Sequence, residues 1–146
     1  MLTRLLVLVH AGVAGLWLGA MAYSLFVVQP KLARMVGGDA DAEEDAQRVL
    51  ANGNRWPVVG LVSVLWCSGA ALVALDGDRD WAVVAVKAVL LAAASALFWW
   101  VSWRAWPRRV FALPAELPAL RSRFRAVAVT MFALVGAAFA VSVLVR

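Results

Sequence analysis

Charged residues are scarce in this chain: 16% of its 146 residues are charged, whereas 64% are hydrophobic. Small soluble domains leave a large fraction of their surface in water, so a soluble fold of this length cannot hide so much apolar area. The scarcity of charge therefore excludes an ordinary soluble domain and indicates a protein that is surrounded by lipid.

Cysteine and histidine are scarce as well, with one residue of each, Cys67 and His10. A single cysteine excludes an intramolecular disulfide, and the C-x-x-C spacing of many metal sites is absent. The sequence also lacks the alternation of polar and apolar residues that a transmembrane β-barrel needs. Disulfide-stabilised folds and membrane barrels are both excluded.

Four apolar segments dominate the chain, at about residues 5–28, 56–75, 81–103 and 126–145. A helix rising 1.5 Å per residue needs about 20 residues to cross a hydrocarbon core about 30 Å thick. A backbone in lipid must satisfy its own hydrogen bonds, which favours helices. The sequence therefore predicts an all-α integral membrane protein, folded as a single four-transmembrane-helix up-down bundle. The first segment is too long for the apolar region of a signal peptide, so we expect it to be retained.

The segments between the spans are polar. The acidic stretch Asp39–Asp45 is expected to form a solvated loop or a short surface helix. A short turn, Asp76–Asp80, joins the second and third spans. Pro107, Pro114 and Pro118 are expected to prevent a long helix between the third and fourth spans.

Basic residues are concentrated on one side of the predicted membrane, and the net charge is +5. They flank the apolar segments instead of forming a basic stripe, so we predict an orientation signal and no nucleic-acid partner. Ten of them lie in the loops 29–55 and 104–125: Lys31, Arg34, Arg48, Arg55, Arg104, Arg108, Arg109, Arg121, Arg123 and Arg125. The other side holds Arg4, Arg79 and Arg146. Because positive charge accumulates in the cytoplasm, we predict cytoplasmic loops and both termini outside the cell membrane.

Two ionisable side chains, His10 and Lys87, interrupt the apolar spans. A charge at bilayer depth costs at least about 2.5 kcal/mol on insertion scales, so such residues are candidates for function. Both lie about 9 Å from the outer end of their helices, and both helices start on the same side. We expect one polar cluster in the outer third of the bundle. A neutral His10 would be free there to bind a metal or haem iron through one ring nitrogen.

Structural roles stay open for the same residues. The long stem of Lys87 can carry its amine to the lipid headgroups, and His10 can serve as an interhelical hydrogen bond alone. Met21, which shares a helix face with His10 by its spacing, and Cys67 offer sulfur ligands that suit copper(I). Isolated Met and Cys residues in a bundle also commonly only pack.

The first span reads LLVLVHAGVAGLWLGAMAYSLFVVQP, and the third reads WAVVAVKAVLLAAASALFWW. The pattern His10, Trp17 and Gly19, followed by Pro30, resembles the membrane domain of the copper resistance protein D (CopD) family. The early position of Lys87 and the stretch RSRFRAVAV before the last span are similar to that family as well. The resemblance covers most of the chain and implies a role in copper handling or transport.

HemJ-type protoporphyrinogen oxidases look similar in the same two helices. In that family the matching His and Lys are linked to haem b and to activity. The resemblance therefore implies that His10 is an axial ligand and that Lys87 orients an acidic substrate. One histidine cannot supply two imidazole ligands, so this hypothesis requires a homo-oligomer or a weak second ligand. A third hypothesis is a non-catalytic accessory or assembly subunit of a membrane partner protein, in which His10 and Lys87 only hold helices together.

Overall fold

The computed structural model describes residues 1–51, 53–75 and 80–145, and helices make up nearly all of this part of the chain. These residues form the helices α1 Leu2–Met35, α2 Ala40–Ala51, α3 Arg55–Leu75, α4 Trp81–Val110 and α5 Leu117–Leu144. Every helix except α2 is long and apolar enough to cross a membrane. The predicted all-α class and the predicted four long apolar helices are therefore confirmed.

The start of α4 agrees with the sequence prediction because a side chain caps it. Oδ1 of Asp80 accepts hydrogen bonds from the backbone N–H groups of Ala82 (2.8 Å) and Val83 (3.4 Å). These are two of the N–H groups that have no partner within the first turn of a helix. The other residues of the predicted turn, 76–79, lie outside the described residues.

Two prolines lie inside long helices without ending them. Proline lacks an N–H group, and its ring clashes with the carbonyl four residues earlier. In α1 a π-helical turn, Ser24–Val28, precedes Pro30, and in α4 a second one, Val101–Ala105, precedes Pro107. Each wider turn rearranges the hydrogen bonds just before the proline, so the helix continues past it. The helix runs only three residues past Pro107, to Val110, and α5 begins at Leu117, so no uninterrupted helix joins the third and fourth spans, as the three prolines predict.

The remaining helix ends follow from proline and glycine chemistry. Pro118 lies in the first turn of α5, where a missing N–H costs no hydrogen bond, so α5 begins at Leu117 instead of near residue 126. A 3-10 turn, Pro114–Glu116, precedes it. Beyond the end of α1, Gly37 and Gly38 have φ angles of 61° and 88°, a conformation that glycine adopts without steric cost.

Helix α1 packs against both α3 and α5. The rings of Phe26 and Phe132 lie 5.7 Å apart, edge to face, and Leu18 lies beside Gly136. From Phe132 to Gly136 the residue number rises along α5, whereas the contacting residues on α1 fall in number from Phe26 to Leu18. The two helices are antiparallel.

Helix α4 packs against α5, and side chains join it to α3. The rings of Trp106 and Phe124 lie 6.1 Å apart where α4 ends and α5 begins, so these two helices are antiparallel. The indole N–H of Trp66 donates to Ser95 Oγ (3.2 Å). The guanidinium of Arg55, which comes earlier on α3, donates to the carbonyl of Ser102, which comes later on α4. Neighbours alternate in direction, as in an up-down bundle. The end with both chain termini is called the terminus end, and the end with α2 is called the loop end.

The core is a layer to which every long helix contributes. Its buried members are Trp17, Leu65, Ala94, Met131 and Val135. Trp17 is 2% exposed and Ala94 is fully buried, so this layer contains both the largest and one of the smallest apolar side chains without leaving either in contact with the surroundings. Many other large apolar side chains on the long helices are exposed, including Leu8, Leu16 and Val89.

We expect Ala94→Leu to destabilise the bundle by about 1–3 kcal/mol, because the added methylene groups overfill a close-packed layer. Ala96→Leu is the matched control, since Ala96 lies on the same helix but is exposed. Thermal unfolding of both variants in detergent measures the difference. Equal stability of the two variants would show that Ala94 does not lie in a filled core.

Candidate functional site

His10 on α1 is held by two consecutive residues of α3. Its Nδ1 lies 2.8 Å from Ser68 Oγ. Ser68 is buried, and its hydroxyl lies 2.6 Å from the carbonyl of Val64, to which it donates. On the other side, a Cβ placed on Gly69 would lie 3.3 Å from the imidazole Cε1. The ring therefore fits against α3 because residue 69 has no side chain.

These hydrogen bonds determine which imidazole nitrogen is free. Because the Ser68 hydroxyl gives its proton to Val64, its oxygen accepts the N–H of His10 Nδ1. In a neutral imidazole with a protonated Nδ1, Nε2 carries the lone pair. Metal-binding histidines are oriented in the same way, with the second ring nitrogen donating to a neighbouring group. This arrangement leaves the lone pair on Nε2.

Lys87 on α4 lies at the same end of the bundle. Its side chain is half-buried, and its charge is near enough to act on the His10 imidazole. Among the residues that the structure describes, it has no hydrogen-bond or ion-pair partner. The ammonium is therefore a positive charge that remains available to an acidic group beside His10.

The two sulfur candidates do not join this cluster. Cys67 is exposed, and it points about 100° away from Ser68 around α3. Met21 packs against the core layer, about 16 Å further along α1 than His10. The structure thus brings His10 and Lys87 towards each other and leaves both sulfur atoms elsewhere. Within residues 1–51, 53–75 and 80–145, no three His, Cys, Asp or Glu side chains are grouped to hold a metal.

The loop end holds a buried ion cluster that the sequence analysis missed. Glu44 on α2 is 2% exposed, and Arg109 at the end of α4 is 4% exposed. The two side chains form a bidentate pair. The Nε–H of Arg109 donates to Oε1 of Glu44 (2.9 Å), and an Nη2–H donates to Oε2 (2.8 Å). Arg121 on α5 donates to Oε2 (3.3 Å) and to the carbonyl of Ala40 (2.6 Å).

This cluster corrects the expectation for the acidic stretch. The stretch does enter a short helix, but Glu44 is buried there instead of solvated. The spacing of Ala40, Glu44, Gln47 and Ala51 places these residues on one face of α2, and small residues on such a face indicate close packing. That spacing could have indicated a buried Glu44. Nothing in it identifies Arg109, which lies far away in the chain.

The charges around Glu44 determine its protonation. Burial alone raises the pKa of the carboxyl, but the hydrogen bonds and positive charges of Arg109, and then of Arg121, outweigh burial and hold the pKa below its ordinary value. The guanidinium of Arg109 also lies 5.0 Å from the centre of the Phe124 ring. The cluster therefore joins α2, α4 and α5 through a carboxylate that stays ionised.

The chain matches no protein-family model, no curated protein and no solved structure.

We expect Glu44→Gln to weaken the docking of α2 by about 3–5 kcal/mol at neutral pH, because Arg109 then stays buried without its counter-ion. Amide hydrogen exchange of residues 40–51 measures this local opening. The matched control is Asp45→Asn, which removes an exposed carboxylate 3.6 Å from Arg48 and should cost at most about 1 kcal/mol.

The pH dependence gives the same prediction a second readout. The folded-state pKa of Glu44 is lower than the unfolded one, so its contribution is present above the ordinary glutamate pKa. It is lost as the pH falls through the lowered folded-state value. Acid should therefore accelerate exchange in α2 of the wild type and much less in Glu44→Gln. Equal acid sensitivity in both proteins would contradict the assignment to Glu44.

Proposed function

We propose that this chain is a multi-pass protein of the cell membrane in which His10 binds the iron of haem b. In this proposal Lys87 faces an acidic group of the same bound molecule or of a substrate. The observation that carries it is the hydrogen-bond chain from His10 through Ser68 to Val64, which leaves Nε2 as a free ligand atom. The similarity to the HemJ-type helices points to the same pair of residues.

The membrane part of the proposal is supported by the outside of the bundle. Leu8, Leu16 and Val89 are each more than half exposed on the long helices. In water each such side chain would forgo about 1.5–3 kcal/mol of burial energy. A bilayer covers them, and every long helix has the length to cross it.

Haem b suits the terminus-end residues better than a copper ion does. Haem iron takes one imidazole from the protein as its proximal ligand, and the two propionates of haem are negative groups that attract an ammonium such as Lys87. Copper(I) prefers several soft ligands, yet Cys67 and Met21 lie away from His10. The charge of Lys87 also repels a copper cation. When bound, haem supplies one-electron chemistry, and a second imidazole would have to come from another copy of the chain.

The absorption spectrum of the detergent-purified protein tests this proposal. After expression with added haem, we expect a Soret band in the wild type and none in His10→Ala. Ser68→Ala should lower haem affinity about tenfold or more, since it removes the group that orients the ring. Cys67→Ala and Met21→Leu are the controls, and both should keep the band.

Metal analysis of the same samples separates the other hypotheses. Bound copper that disappears in His10→Ala, without a Soret band, would favour the CopD-like role in copper handling over the haem proposal. Absence of both, with only a change in stability in His10→Leu and Lys87→Met, would favour a non-catalytic accessory subunit.

The orientation is proposed from the charge at the two ends. In the described residues, the loop end holds all ten basic residues of the segments 29–55 and 104–125, and the terminus end holds Arg4 outside the apolar spans and Lys87 within one. Of the other predicted outer residues, Arg79 and Arg146 lie outside the described part. The positive-inside rule then places α2 in the cytoplasm and both termini outside.

Cysteine labelling in intact cells checks this orientation, in a Cys67→Ala background. We expect Thr3→Cys to react with a membrane-impermeant maleimide, because the residue is exposed at the terminus end. Asp41→Cys, exposed on α2, should react only after the membrane is opened. The reverse pattern would show the opposite orientation.

A further inference from the structure

A cavity of about 750 Å³ lies at the loop end, between α1, α2, α4 and α5. Its size falls within the range of small-molecule sites. It shares no residue with the cluster at His10 and Lys87, so any ligand that it holds is additional to the proposed haem. The charge and polarity of the lining residues indicate the chemistry of such a ligand.

The wall formed by α5 changes from basic to apolar with depth. Arg121 and Arg125 line the mouth, and Val127, Ala128 and Met131 follow towards the core layer. From Arg121 to Met131 the wall extends about 15 Å. The opposite wall, on α1, has the same order: Gln29 lies near the mouth, and Val28 and Leu25 lie deeper. The cavity is therefore a cleft whose lining is mainly basic towards the loop end, where Glu43 lies 3.6 Å from Arg121, and apolar towards the core layer.

One of the arginines that line the cavity has no ion-pair partner among the described residues. Arg109 and Arg121 share the carboxylate of Glu44, as described above. Arg125 also lines the cavity and is exposed, and no described residue forms a hydrogen bond or ion pair with it. Guanidinium groups bind phosphate and carboxylate through paired hydrogen bonds. Arg125 is thus placed to receive an anion at the mouth.

Both π-helical turns contribute to the same cavity. Ser24, Leu25 and Val28 come from the turn in α1, and Val101 comes from the turn in α4. Such turns occur frequently at functional sites, because they widen a helix and expose backbone that an α-helix would cover. The two wide turns thus both line this space between the helices.

From these features we propose that the cavity binds an anionic phospholipid. Its phosphate lies at Arg125, beside Arg121, and part of an acyl chain extends along Val127 and Ala128 towards Met131. With the loop end in the cytoplasm, the lipid comes from the inner leaflet, whose anionic headgroups attract basic residues. The shape of the cleft and its single uncommitted charge match one negative headgroup on an apolar chain.

The test measures the thermal stability of the full-length protein in detergent micelles as lipid is added, because a ligand of the folded state raises the unfolding temperature. Phosphatidylglycerol is the anionic probe, and phosphatidylcholine is the zwitterionic control. Inorganic phosphate tests the phosphate group without an acyl chain. We expect phosphatidylglycerol to stabilise the wild type at lower concentration than phosphatidylcholine, and inorganic phosphate to have little effect. If inorganic phosphate stabilised the protein as much as phosphatidylglycerol does, the proposed contribution of the acyl chain to binding would be wrong.

Two pairs of variants distinguish a site from general attraction to charge. Arg125→Gln should weaken phosphatidylglycerol binding about tenfold or more, the usual size for one charge-assisted interaction. Arg123→Gln removes another exposed charge, one that does not line the cavity, and it should leave binding unchanged. An equal loss in both variants would show surface attraction and overturn the proposed site.

The second pair tests the apolar part. Ala128→Trp fills the cleft and should prevent binding, whereas Ala126→Trp places the same side chain on an exposed position outside it. Binding that survives in a folded Ala128→Trp protein would overturn the placement of the acyl chain. If Ala128→Trp does not fold, the comparison of Arg125→Gln with Arg123→Gln still decides whether the site exists.

Discussion

The indole of Trp17 is buried in the core layer to which all four long helices contribute, together with Leu65, Ala94, Met131 and Val135, and this layer holds the helices close to one another. A buried ring of this size requires close packing by the neighbouring side chains of the layer. At the terminus end, the resulting closeness brings His10 of α1 against Ser68 and Gly69 of α3. At the loop end, the helices separate around two π-helical turns and leave a cavity. Both candidate sites thus depend on one packed layer between them.

The two ends deal with buried polar groups in different ways. At the terminus end, neutral partners form a short chain of hydrogen bonds, and the imidazole keeps one nitrogen free. At the loop end, Glu44 and Arg109 are both charged and both buried, so they depend on bidentate geometry and on the second cation, Arg121. A buried charge without its partner is costly, and this makes the loop-end cluster sensitive to the loss of any one member. The first arrangement joins α1 to α3, and the second attaches α2 to α4 and α5.

Sequence reasoning was most successful where a local rule decides the outcome. The start of α4 depends on the side chain of Asp80 and the two N–H groups that follow it, so it could be predicted from neighbouring residues. The ends next to prolines were harder to predict. A proline ends a helix or bends it according to whether the preceding turn can widen, and that depends on how the neighbouring helices pack around Pro30 and Pro107.

Composition and the length of the apolar segments by themselves determined the all-α class, the four long helices and the two unusual residues, His10 and Lys87. These properties depend on residues within one helix length of each other. The pairing of Glu44 with Arg109, the free nitrogen of His10 and the outward position of Cys67 were decided only by the tertiary structure. The physical reason is that a buried ion pair or an oriented imidazole needs a partner from another helix. No periodicity in the sequence indicates which distant side chain that is.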